Sequence, residues 1–91
     1  MSPVRPSWHY VYILISEKDK KFYTGVTNEL AGRLEQHEKG LVPSTKYRRP
    51  LKLVYYEASL DKDDSCRRER YLKSGMGKKY LNNRLKKGLT G

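Results

Sequence analysis

Read for its alternation of apolar and polar positions, the chain divides into six regular segments. In Tyr10–Ser16, YVYILIS, the residues Tyr10, Tyr12 and Leu14 alternate with Val11, Ile13 and Ile15. Both faces are apolar, which predicts a strand covered on both sides. The polar run EKDKK predicts a turn, and Phe22–Thr27, FYTGVT, a second short strand, so the pair forms a hairpin. Gly25 inside that strand predicts a bulge or a close backbone approach. From Leu30 the period changes: Leu30, Leu34 and His37 fall on one helical stripe with Ala31 beside it. Thr27 or Asn28 is placed to cap the start of this helix and Gly40 its end. GLVPSTKYRRP reads as a loop bounded by Gly40 and Pro50, and Leu51–Ala58, LKLVYYEA, as a third strand. Asp61 is placed to cap a helix running to about Lys73, with Asp63 and Asp64 in the first turn, where the helix dipole favours acidic groups. SGMG breaks it, and Lys78–Lys87, KKYLNNRLKK, makes a last short helix. The order ββαβαα predicts an α+β fold, a small three-stranded antiparallel or mixed sheet flanked by helices.

A chain of 91 residues suffices for one domain with one small core. Residues 1–9, with two prolines among the first seven, predict a flexible arm; 10–87 form the domain, and 88–91 a tail. No apolar run is long enough to cross a membrane, and MSPVRPSWHY lacks the apolar stretch of a signal peptide, so the expectation is a cytoplasmic protein. A single cysteine, Cys66, cannot form an internal disulfide, which fits a reducing compartment; three positions before Glu69, it reads as a small core residue. Two histidines and one cysteine exclude a zinc site of the usual kind. Any metal would need oxygen ligands, hence Mg²⁺ or Mn²⁺.

Charge changes the picture. There are 20 Lys and Arg against 10 Asp and Glu, a net charge of +10 that calls for a polyanionic partner. The surplus is uneven: residues 1–45 hold six basic and five acidic groups, residues 46–91 fourteen and five. Asymmetry of this kind marks a binding face more often than a device for solubility.

The residue types suggest a chemistry to be done on that partner. Hydrolysis of a phosphodiester requires an activated water, compensation for charge on the phosphate and help for the leaving oxygen. A carboxylate can hold a divalent cation, and arginine matches phosphate with a planar fork. A tyrosine can move a proton if its pKa, about 10 when unperturbed, is brought down by nearby positive charge. Against this, Tyr12 and Tyr23 are also ordinary strand residues, Arg33 with His37 an ordinary solvated helix face, and Glu69 an ordinary member of a surface ion pair.

Tyr10-Val11-Tyr12 and Tyr23-Thr24-Gly25 resemble the two signature segments of the GIY-YIG nuclease family, with Tyr10, Val11 and Thr24 departing from the name. STKYRRPLKLVYYE, RRERYLKSG and GKKYLNNRL extend the similarity from Tyr10 to Leu85, and small stand-alone bacterial members are the nearest in kind. The resemblance implies that Tyr12 and Tyr23 form the catalytic pair, with Tyr12 favoured as general base. It further implies that Arg33 contacts the scissile phosphate, that His37 supports the site one turn on, and that Glu69 binds one Mg²⁺ or Mn²⁺ ion. Asn83, with Asn82 as the alternative, corresponds to a late asparagine. DNA is then the expected partner. Lys46, Tyr47, Arg48 and Arg49 in the loop, Arg67, Arg68, Arg70 and Lys73 around Glu69, and Lys78 with Lys79 are the expected contacts. Without a separate groove-reading module, single-stranded or branched DNA is the expected substrate, with Trp8, Tyr47, Tyr55, Tyr56 and Tyr71 as candidate stacking rings. The tail KKYLNNRLKKG has too few apolar anchors for a membrane helix. Two other classes share the same fold: a non-catalytic nucleic-acid-binding protein and an interaction module of a DNA-repair assembly.

Overall fold

The alternation in YVYILIS puts this segment at the centre of the sheet. In the computed structural model, which describes residues 7–86, β1 (His9–Ser16) pairs antiparallel with both β2 (Phe22–Thr27) and β3 (Leu51–Ser59), giving the order β2-β1-β3. The strand begins one residue before the expected start; most of the expected arm, Lys87 and the tail 88–91 lie outside the described residues. Val11, Tyr12, Ile13 and Leu14 are all buried, so both faces of β1 are covered.

Residues opposite one another share a face of the sheet. One face carries Val11 with Val26 and Ile13 with Thr24. There Val11 and Ile13 pack on Leu72 of α2 (Lys62–Lys73) and Leu81 of α3 (Gly75–Arg84), ringed by Phe22, Val26, Val54, Tyr55, Tyr80 and Leu85. Each such fully buried aliphatic side chain contributes roughly 1.5–3 kcal/mol. The other face carries Tyr12 opposite Gly25 and Leu14 opposite Tyr23, and meets α1 (Leu30–Glu38).

Gly25 marks a close approach and not a bulge. The β1–β2 register is continuous, and a Cβ at Gly25 would lie 2.5 Å from the Tyr12 ring. The irregularity falls instead between β1 and β3. Ile13 faces Tyr55 and Leu14 faces Leu53, leaving Val54 as the extra residue.

The helix ends correct two expectations. Neither Thr27 nor Asn28 caps α1: Glu29 is the N-cap and makes no side-chain cap, while Thr27 Oγ1 accepts from the Glu29 N–H at 3.1 Å in the turn before it. Gly40 does end the helix, at φ +76°, with its N–H on the His37 carbonyl and the Leu41 N–H on the Gln36 carbonyl. For α2, Asp61 accepts from the N–H groups of Asp63 and Asp64, as its position predicts. SGMG does not separate the last two helices; Ser74 alone does. Its Oγ accepts from the Gly77 N–H at 3.2 Å, so α3 starts at Gly75, three residues before the expected Lys78. The serine cap outweighs the poor helix propensity of the two glycines. Among the described residues no helix is long and apolar enough to cross a membrane.

Candidate active site

Arg33 and His37 are four residues apart on α1 and therefore project from the same side, onto Tyr12. Tyr12 Oη lies 2.7 Å from His37 Nε2, and Arg33 Nε donates to the same oxygen at 3.4 Å. Arg33 Nη1 donates to Gln36 Oε1 at 2.9 Å. On its far side the imidazole continues into the loop after α1, with Nδ1 2.7 Å from Thr45 Oγ1, itself 3.5 Å from the Val42 carbonyl. Tyr23 completes the cluster with its ring edge-on to His37, centroids 5.2 Å apart, and 6.3 Å from the Tyr12 ring. The Ser44 hydroxyl donates to Tyr23 Oη at 3.5 Å. Gly25 lets the Tyr12 ring lie flat against β2 and reach this position.

Tyr12, His37 and Thr45 are all buried, at 0–1% exposure, so each polar hydrogen needs an acceptor. One direction of the chain supplies an acceptor for each along Tyr12, His37 and Thr45. Tyr12 donates to His37 Nε2, His37 Nδ1–H donates to Thr45, and Thr45 donates to the Val42 carbonyl. In the reverse direction the Tyr12 hydroxyl would turn to Tyr23 instead. The imidazole is neutral at ordinary pH, its pKa lowered to about 4 first by burial and then by the charge of Arg33. Burial also raises the Tyr12 pKa, and the hydrogen bond from Arg33 offsets this only in part. Arg33 does pull that pKa down, as nearby positive charge should, but burial of the ring outweighs it.

Glu69 approaches from elsewhere. It lies on α2, one turn before core residue Leu72, and so belongs to the opposite face of the sheet. The open edge of β2 separates it from the tyrosines. A depression of about 300 Å³ wraps that edge, lined by Phe22, Tyr23, Thr24, Leu72, Lys73 and Lys78, and Lys73 Nζ reaches Glu69 Oε2 at 3.5 Å. Among the described residues no hydrogen bond joins Glu69 to Tyr12, Tyr23, Arg33 or His37. The donor chemistry fits a weakly held hard cation. Asp19, Glu57 and Glu35 are paired with Arg48, Arg68 and Lys39 at 3.0 Å or less, whereas among the described residues Glu69 has only its longer contact with Lys73. No group of three or more His, Cys, Asp or Glu side chains able to hold a metal occurs among the described residues. Such an ion would have one carboxylate and take its other ligands from water and phosphate, as Mg²⁺ readily does. Asn83 is exposed and is not brought to the cluster. Its neighbour Asn82 lines a depression with Phe22, Lys78 and Arg48 and stands nearer the β2 edge.

The expected DNA contacts divide. Arg48 is committed to the fold: its guanidinium holds Asp19 at 2.8 Å and the Lys21 carbonyl at 3.0 Å, tying the hairpin turn to the loop before β3. Arg68 is held by both oxygens of Glu57 at 3.0 Å and lies over the Tyr71 and Tyr80 rings. Arg49 donates to the carbonyls of Lys46 and Glu38. Arg67 forms only a 3.6 Å pair with Asp64, and Lys46, Arg70, Lys73, Lys78 and Lys79 are exposed. Of the candidate rings, Trp8, Tyr47, Tyr56 and Tyr71 are exposed, whereas Tyr55 is packed down, its hydroxyl on Glu57 and Tyr80. Cys66 is half-buried. Thr45 was not anticipated; Val42, an apolar position within a polar loop, was the one signal that this loop turns inward.

Comparison with known proteins gives a consistent picture. The model of the GIY-YIG catalytic domain matches residues 8–87. A UPF0213 protein of Clostridium perfringens is 44% identical over 66 residues, covering 71% of this chain and 70% of that one. Another, of Staphylococcus haemolyticus, is 42% identical over 67 residues, covering 72% and 80%. The solution NMR structure of the UPF0213 protein BH0048 from Bacillus halodurans is 36% identical and superposes with a TM-score of 0.51 over 81% of each chain.

Proposed function

Because the chain belongs to the family of GIY-YIG catalytic domains, we propose that it is a divalent-metal-dependent DNA endonuclease that hydrolyses single-stranded or branched DNA, with Tyr12 taking the proton from water. The observation that carries this reading is the buried chain Tyr12–His37–Thr45 with Arg33 on its outer end. A sheet tyrosine in a purely structural role does not require a desolvated neutral histidine aimed at its hydroxyl.

Burial raises the Tyr12 pKa, which favours a phenol over a standing tyrosinate as the starting state. Its hydroxyl acts as a relay. Tyr12 is fully buried under Arg33, so this step requires Arg33 to shift toward the phosphate and open Tyr12 Oη. As the attacking water then gives it a proton, the phenolic proton passes to His37 Nε2 over 2.7 Å. Thr45 holds the imidazole in the tautomer that leaves Nε2 free to accept. Arg33 spends one N–H on Tyr12 and another on Gln36, leaving the rest of its five for non-bridging phosphate oxygens, where charge builds in the transition state. Tyr23, edge-on to His37 and near Ser44, orients the substrate side of the cluster. A Mg²⁺ or Mn²⁺ ion held by Glu69 would supply charge compensation for the phosphate and leaving oxygen. The rings of Trp8, Tyr47 and Tyr56, 42%, 75% and 53% exposed, offer faces for unpaired bases and favour single-stranded or branched DNA.

The test is a panel of matched single-stranded, forked and duplex oligonucleotides, with and without Mg²⁺. The wild type should cut the single-stranded or forked substrates only with metal, and Glu69→Ala and Tyr12→Phe should abolish cutting. Retained cleavage in both variants overturns the catalytic assignment; equal or better cutting of plain duplex overturns the choice of substrate.

A further inference from the structure

Two depressions meet at the start of α1. One, of about 550 Å³, has Arg33 and Gln36 on one wall and His9 and Lys62 on the other. The second, of about 720 Å³, is walled by Trp8 and Tyr10 and shares Asn28 and Glu29 with the first. The two depressions adjoin at Asn28 and Glu29 and make up a cleft around the start of α1, with Arg33 in one half and Trp8 in the other.

We propose that this cleft receives the nucleotide next to the scissile phosphate of a single DNA strand, with Lys62 and His9 holding its phosphate and Trp8 stacking its base. The inference rests on the endonuclease reading, which puts the scissile phosphate at Arg33. Arg33 both touches Tyr12 and lines the cleft, so a strand bound there has its neighbouring nucleotide inside. The first depression falls within the range of roughly 300–1,000 Å³ usual for small-ligand pockets. Its walls carry Arg33 and Lys62 against one carboxylate, Glu29, and Lys62 has no ion-pair partner among the described residues. The cleft therefore suits an anion. Trp8 is 42% exposed in the second depression and offers a ring on which an unpaired base can stack. Lys62 opens α2, the helix of Glu69, two turns before it, and none of His9, Lys62 and Asn28 is part of the relay.

The experiment measures binding apart from cutting. Fluorescence anisotropy with a labelled single-stranded oligonucleotide is recorded in the Glu69→Ala background over a range of salt. Trp8→Ala should weaken binding about tenfold, and Trp8→Phe, which keeps a ring, should restore most of it. Lys62→Ala should weaken binding and flatten the log–log salt dependence by about 0.7, the loss of one phosphate contact on a single strand. Lys52→Ala, on β3 at the other edge of the sheet, should match the parent. If the wild type cuts DNA but Trp8→Ala and Lys62→Ala bind like the parent, the cleft assignment is overturned and the endonuclease reading stands. If both weaken binding as stated but the wild type cuts nothing, the cleft stands as a strand-binding site and the endonuclease reading is overturned.

Discussion

Acid should destabilise this protein through one residue, His37. The folded imidazole titrates at about 4 and an unperturbed one at 6.5, because burial and the charge of Arg33 both oppose its protonation. Between these two values the unfolded chain binds the proton and the folded chain does not. Stability therefore rises with pH across this window. The contribution is complete above 6.5, falls as the unfolded imidazole protonates, and is gone once the pH drops through the folded value. One unit of pKa corresponds to about 1.4 kcal/mol, so the window is worth roughly 3 kcal/mol, a large part of the ~5–15 kcal/mol that holds a typical domain together. Asp19 does not confuse the measurement. Its pKa is lowered to about 2 by the hydrogen bond from Arg48, so its contribution is lost only at lower pH. The assay is urea unfolding in half-unit steps from pH 7.5 to 4, for the wild type and His37→Asn. The variant is less stable throughout, so the slopes are compared and not the absolute values. The wild type should lose about 3 kcal/mol more than the variant over the window. Parallel slopes, or an imidazole whose NMR titration midpoint lies at or above 6.5, would refute the buried neutral histidine and the relay built on it.

Gly25→Ala should lower stability by about 1–3 kcal/mol, the usual range for overpacking, because its Cβ would meet the Tyr12 ring at 2.5 Å. Cleavage should fall with it as Tyr12 is pushed off His37; urea unfolding and the oligonucleotide assay check the two effects. Thr45→Val leaves a buried imidazole N–H without an acceptor and should cost about 1–3 kcal/mol, with Thr45→Ser restoring both stability and activity. Arg68→Ala should destabilise by about 1–2 kcal/mol through loss of the Glu57 pair and the contacts with Tyr71 and Tyr80, and leave DNA affinity unchanged. Arg70→Ala should do the reverse, changing stability by less than about 0.5 kcal/mol while weakening DNA binding in an anisotropy titration.

The sheet was legible because its information is local. Six alternating residues of β1 state that both faces are covered, and the hairpin follows from the polar turn after it. The capping carboxylate of Asp61 announces α2 for the same reason. The start of α3 was not legible from propensity, which treats Gly75 and Gly77 as breakers. It is decided by a single hydroxyl, Ser74 Oγ, on one N–H. The β3 bulge at Val54 was hidden too, since a register shift depends on the partner strand and leaves no mark in the alternation of its own residues.

The site divides along the same line. Arg33 and His37 are neighbours by helical period, so their convergence with a strand tyrosine could be anticipated from the chain and from its resemblance to a family. Thr45 could not, because nothing in the loop sequence distinguishes its hydroxyl from that of Ser44; the fold buries one and leaves the other exposed. The basic residues show how far charge alone can mislead. RRPL and RRER read as patches for a polyanion, yet Arg48 ties the hairpin turn to a loop and Arg68 neutralises Glu57. Removing those two from the binding face leaves Lys73 and Lys78 at the Tyr23 end of the β2 edge, with Arg33 and Lys62 at the other. Cations then line the open edge of the sheet at both ends of β2, and three of these four, Lys62, Lys73 and Lys78, come from the second half of the chain, where the residue count places the surplus. An edge strand flanked by cations on both faces gives a single strand a track with the reacting phosphate at its middle. If the substrate of the proposed reaction lies across that edge, a carboxylate on one face of the sheet and two tyrosines on the other can serve one phosphorus.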